Sequence, residues 1–157
     1  MRRLKSLVRD EDASGIVEFS LAATMFLTLI FAIVEFSMVM YTSSFVAYAA
    51  QEGTRYAMVR GKDWNSSCAS ATSYSCKASA ADVQNYILNT LPHPGINLVA
   101  ADITPTWLTT TATGAACVAY SQGCQVRVQV SYTFNMNLPF YSPSFPFSTT
   151  SIETIQD

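Results

Sequence analysis

Residues 19–34 read Phe-Ser-Leu-Ala-Ala-Thr-Met-Phe-Leu-Thr-Leu-Ile-Phe-Ala-Ile-Val, a stretch with no charge, set between Glu18 and Glu35. Taken outward from Ile16 to Tyr41, the apolar segment extends about 39 Å as a helix, enough for a hydrocarbon core of about 30 Å. A membrane span is the direct reading. The alternative, a helix buried in a soluble protein, fits poorly, because a chain of 157 residues cannot easily wrap such a helix on every side.

The rest of the composition agrees. Half of the residues are hydrophobic and 13% are charged, against about 25% in ordinary soluble domains. That excludes a disordered solvating chain. At a formal net charge of -2 there is no basic excess to neutralise phosphates, so nucleic acid is not an expected partner. The length suits one small domain beside the anchor.

Ahead of the span, Arg2, Arg3, Lys5 and Arg9 precede Asp10, Glu11 and Asp12. Basic residues favour the cytoplasmic side, but Arg55, Arg60 and Lys62 follow the span, so charge alone gives a weak preference for a cytoplasmic N-terminus. Cysteine usage adds to it. All four cysteines lie beyond the span, and the pairs Cys68 with Cys76 and Cys117 with Cys124 suit two local disulfides in an oxidising compartment. Zinc is the rival, though neither pair has the tight spacing of a zinc knuckle and the single His93 lies between two prolines. Ala47-Tyr48-Ala49 has a signal-peptidase pattern, but the apolar core is too long and ends too far upstream, which favours an anchor that is uncleaved there.

Beyond the span no Pro or Gly intervenes until Gly53, and Gly61 supplies a stop. One helix is therefore expected over residues 16–60, about 67 Å long, with its second half projecting from the membrane. Tyr41, Phe45, Tyr48 and Glu52 form an aromatic stripe on that half. Ala49, Gly53 and Ala57 form a second stripe without bulk, which lets another backbone approach. One of the two is expected to pack on the protein's own globular part and the other to face an assembly. A carboxylate in hydrocarbon costs about 2.5 kcal/mol or more on insertion scales, so Glu18 is expected at the cytoplasmic boundary. Glu35 is placed either at the opposite headgroup level or against a partner helix.

Downstream, Trp64–Ala78 reads as a Ser-rich loop, and Ser79–Leu91 as a helix capped by Ser79, with Asp82 in its first turn and Val83, Tyr86, Ile87 and Leu91 on one face. Residues 125–136 alternate apolar and polar without error, the mark of a half-buried strand. Cys117–Tyr120 and the chain from Cys124 are expected to form a hairpin closed near its turn by a disulfide. Asn97–Trp107 should supply a strand bent at Pro105, and Phe147–Ile155 a last one. Pro139, Pro143 and Pro146 predict a loop over residues 138–147, a flap on the sheet or a partner-binding segment. No nucleophile with a base, metal cluster or phosphate loop is visible, so neither an enzyme, a cofactor nor a small-molecule substrate is expected.

Three fragments, Gly15-Ile16-Val17-Glu18-Phe19-Ser20, Ile33-Val34-Glu35-Phe36 and Ala49-Ala50-Gln51-Glu52-Gly53-Thr54-Arg55-Tyr56-Ala57, resemble the TadE-like family, pseudopilin-related components of tight-adherence (Flp-type) pilus systems. The resemblance implies an α+β protein of pilin-like architecture: a cytoplasmic leader over residues 1–15, a transmembrane and projecting helix over 16–60, and a periplasmic domain with one short helix and an antiparallel sheet over 61–157. It implies a single-pass location in the bacterial inner membrane. The implied partners are membrane lipid, other pilin-like or TadE-family subunits, the assembly platform and a prepilin peptidase. A cut between Ala13 and Ser14 would give Glu18 the fifth mature position, where related prepilins carry a Glu that pairs with a neighbour's N-terminal amine; the usual residue before the cut is Gly, and here it is Ala13. Helix packing or assembly would involve Glu18, Glu35, Ala49, Gly53 and Ala57. An anchored binding module, using the Phe- and Pro-rich loop to hold a ligand or surface, is the alternative.

Overall fold

The computed structural model describes residues 11–62, 64, 77–92, 94–136 and 142–156, with side chains from residue 14 onward. Its elements run α1 (Glu11–Val59), α2 (Ala80–Thr90), a 3-10 turn (Ala100–Asp102), β1 (Ile103–Thr111), β2 (Cys124–Asn135) and β3 (Ser144–Thr154). Two compact units result, Met1–Met38 and Val39–Asp157. The protein is α+β, with a long apolar N-terminal helix, a short helix and a three-stranded antiparallel sheet.

α1 starts at Glu11, five residues before the expected Ile16. In the first unit every residue from Ser14 to Ser37 is exposed except Ala23 and Glu35, which are half-buried. The polar side chains there look after themselves. Ser20, Thr24, Thr28 and Ser37 each donate a hydroxyl hydrogen bond of 2.7–2.8 Å to the carbonyl four residues back, so none demands water.

The second unit forms around the C-terminal part of α1. Val46, Ala49, Ala50 and Ala57 are fully buried, together with Val83 and Ile87 of α2 and Val126, Val128 and Val130 of β2. Burying each valine or isoleucine stabilises by about 1.5–3 kcal/mol. α2 begins as the sequence leads one to expect: Asp82 N–H donates to Ser79 Oγ, and Ser79 N–H donates back to Asp82 Oδ2. Leu91 is its C-cap, and Pro92 bars continuation. Ser79→Ala removes half of this reciprocal cap and is expected to lower domain stability by about 1 kcal/mol in a denaturant titration; an unchanged midpoint would show that tertiary packing alone holds α2.

The sheet order is β1-β2-β3, and β2 alternates as expected, Val126, Val128 and Val130 inward and Arg127, Gln129 and Ser131 outward. Other strand expectations need correction. The first arm of the hairpin is not Cys117–Tyr120 but β1, which pairs Ile103 with Val130 and Trp107 with Val126. Cys117–Tyr120 belongs to the connection between β1 and β2. The stretch 97–102 is not strand, and the 3-10 turn within it is held by Val99 N–H donating to Asp102 Oδ2 at 3.0 Å. β3 starts at Ser144, inside the segment expected to be loop. Pro105 in β1 and Pro146 in β3 both sit in ladders, opposite Val128 and Thr133. Both strands are edges, where a residue lacking N–H is tolerated on the outward side. Residues 137–141, with Pro139, lie outside the described residues.

Candidate functional site

α1 carries every residue singled out for membrane contact or assembly. The segment from Ser14 has a mean hydropathy of 2.2 over its most apolar stretch, with none of it buried. Phe19, Met25, Phe26 and Phe31 are each more than 60% exposed. Water would oppose this strongly, at about 25 cal/mol for each Å² of apolar surface, so the helix requires an apolar surround. It is long and apolar enough to cross a membrane once. Glu18 stands exposed at one end of this segment and Glu35 half-buried at the other. Ser14 is exposed, and the Ala13–Ser14 bond falls in the first turns of α1.

The two stripes on the second half of α1 have different fates. Ala49, Gly53 and Ala57 are buried in the chain's own core. A Cβ on Gly53 would come within 2.7 Å of Ile87 Cδ1 and 3.3 Å of Val128 Cγ1, so the absent side chain is what admits α2 and the sheet. Of the aromatic stripe, Phe45 is buried, whereas Tyr41 and Tyr48 remain 37% and 47% exposed. Tyr41 stacks on Phe45 at 6.4 Å between ring centres. Glu52 pairs with Arg55 at 3.2 Å, a surface ion pair worth little.

At the end of α1 lies a cluster that periodicity gave no means of finding. Tyr56 stacks on Tyr86 at 4.4 Å, and the Arg60 guanidinium lies 4.0 Å over the Tyr56 ring. Lys62 N–H donates to Tyr120 O at 2.8 Å. Tyr120 is the described non-glycine residue with a left-handed backbone, φ 70; its ring stacks on Trp107 at 4.7 Å, with Lys77 Nζ 4.9 Å away. Burial raises its phenol pKa above the ordinary value. Cys117 and Cys124 are at disulfide distance, with Cα atoms 5.9 Å apart, and close the loop that carries Tyr120. Cys68 and Cys76, like His93, lie outside the described residues. Among the described residues no three His, Cys, Asp or Glu side chains group as metal ligands.

A helix that is bare and apolar over one unit and seated in a small α+β core over the next, with a carboxylate at each end of its bare part, is the feature to compare. Residues 13–55 match the family model of TadE-like protein. The TadE-like match thus covers the bare segment, Glu18, Glu35, the aromatic stripe and the small stripe as far as Gly53, and stops before α2 and the sheet. No curated protein and no solved structure matches the chain. TadE-like proteins are pilus-associated structural proteins, so the match points to a Tad pilus-associated component with one candidate membrane helix, and through it to pilus assembly subunits as associates.

Proposed function

We propose that the chain is a non-enzymatic, single-pass component of a tight-adherence (Flp-type) pilus assembly or secretion apparatus, a pseudopilin-like minor subunit that packs through its N-terminal helix. The carrying observation is the coincidence of the TadE-like match over 13–55 with a helix whose apolar part is wholly exposed. Residues 1–15 are its cytoplasmic leader, the helix crosses the bacterial inner membrane, and the domain stands in the periplasm. Arg2, Arg3, Lys5 and Arg9 before the span support that orientation, as does the Cys117–Cys124 pair, which suits an oxidising compartment. Lipid, other pilin-like subunits and the assembly platform are its partners, and a prepilin peptidase cuts between Ala13 and Ser14.

Glu18 then acts as a register device. A carboxylate and a neighbouring subunit's N-terminal amine about 4 Å apart attract by about 4 kcal/mol at an effective dielectric of 20, before desolvation is subtracted. Glu18→Gln keeps the shape but removes the charge and leaves one acceptor oxygen in place of two. The variant is expected to enter the membrane and melt like the parent while losing pilus assembly. Mass analysis of the detergent-extracted chain should show Ser14 as its first residue. Full assembly by the Gln variant would remove the role of Glu18, and a chain starting at Met1 would remove the processing step.

A further inference from the structure

We infer that the Cys117–Cys124 pair is a redox-sensitive clasp: oxidised, it holds Tyr120 where Lys62 and Lys77 are tied to the sheet, and reduced, it releases both. This does not depend on the pilus reading. The loop that the cysteines bound is anchored at its two ends. Cys117 N–H donates to Thr109 O of β1 at 3.0 Å, Gly123 N–H donates to Ile155 O just past β3 at 3.0 Å, and Ile155 N–H returns to Cys124 O at 2.8 Å. Between these anchors Tyr120 meets the chain that leaves α1. Its carbonyl accepts from Lys62 N–H at 2.8 Å. Its ring lies 4.7 Å from that of Trp107 in β1, with Lys77 Nζ 4.9 Å away. Lys77 is joined to the same helix end, since the N–H of Ala78 beside it donates to Arg60 O at 3.0 Å. Lys62 and Lys77, distant in sequence, thus meet on one residue.

A tyrosine does not adopt that position freely. At φ 70 its Cβ crowds the following carbonyl, so the conformation persists only where the surroundings impose it. Closing residues 117–124 into a ring removes most of the alternatives. With the bond broken, Tyr120 relaxes to an ordinary backbone, and the carbonyl that meets Lys62 turns away with it. The two sulfurs differ in access, because Cys124 is fully buried and Cys117 half-buried. A dithiol reductant therefore attacks Cys117 Sγ as its thiolate, forms a mixed disulfide there and displaces Cys124 Sγ; its second thiol then displaces Cys117 Sγ. Two electrons pass from the dithiol to the pair, and the two protons it gives up end on the Cys117 and Cys124 thiols.

The test measures amide hydrogen exchange on the full chain in detergent micelles, carrying Cys68→Ser and Cys76→Ser so that a single pair reports. Reduction by dithiothreitol, verified by thiol counting, should speed exchange at the Lys62 and Ala78 amides by about tenfold or more, while Ile87 and Val128 keep their protection. Reoxidation by oxidised glutathione should restore the first pattern. Adding Cys117→Ser with Cys124→Ser should give the open pattern without reductant; if that variant does not fold, the reduced chain decides. Unchanged exchange at Lys62 after complete reduction would overturn the inference. So would a bond that stays closed to dithiothreitol in the folded chain, or an equal loss of protection at Lys62, Ala78, Ile87 and Val128, which would make the bond a general staple.

Discussion

Gly53→Leu is expected to cost the domain about 2–3 kcal/mol, the upper part of the range for overpacking a filled core. In a domain of this size that corresponds to a melting temperature lower by roughly 10–20 °C. The cause is local. Ile87 Cδ1 and Val128 Cγ1 already occupy the space where a first side-chain carbon would go, and leucine brings three more carbons behind it. Val128 is fixed in the middle strand and Ile87 is fully buried, so α1 must move away from both α2 and the sheet. Gly53→Ala is the informative companion: the intruded atom is the tip of a side chain that can rotate, and alanine returns about 1 kcal/mol of helix propensity. The alanine variant should therefore melt close to the parent. If the leucine variant does so too, monitored by the near-ultraviolet signal of the aromatic pairs, the contact between these three elements is wrong.

The double substitution Leu27→Arg with Ile30→Arg should abolish membrane insertion. Each arginine near the centre of a span costs about 2.5–3.5 kcal/mol on insertion scales, and together they approach about 6 kcal/mol. Both parent side chains are exposed, 53% and 39%, so no core is disturbed. The domain-centred melt is expected to persist while the chain moves from the carbonate-resistant membrane fraction to the soluble or degraded one. Leu27→Ala with Ile30→Ala serves as the control and should stay in the membrane. Unaltered fractionation of the arginine variant would show that residues 14–38 do not cross a bilayer.

How legible each element was follows from where its determinants lie. α1, α2 and β2 are written in local periodicity: an uncharged run, a Ser79–Asp82 cap with apolar residues three and four apart, and a strict alternation from Val126. β3 begins at Ser144, ahead of the expected Phe147, because Pro146 is tolerated on an edge strand, and edge position is a property of the sheet, not of the segment. The bond between Cys117 and Cys124 was expected, but it closes a connection, not a hairpin, because β2 takes its partner from residues 103–111. On α1 the small and aromatic stripes were both visible. Which one meets the core depends on Ile87 and Val128, far away in sequence. The Trp107–Tyr120–Lys77 cluster and the left-handed Tyr120 had no periodic signature at all; the short loop between two cysteines, ending in Gly123, was the nearest hint.

The prolines on both outer strands have a further effect. A sheet of three strands offers two borders onto which another copy could zip. At Pro105 one border lacks a donor, and at Pro146 so does the other. Fibre-like growth from sheet to sheet is discouraged on both flanks.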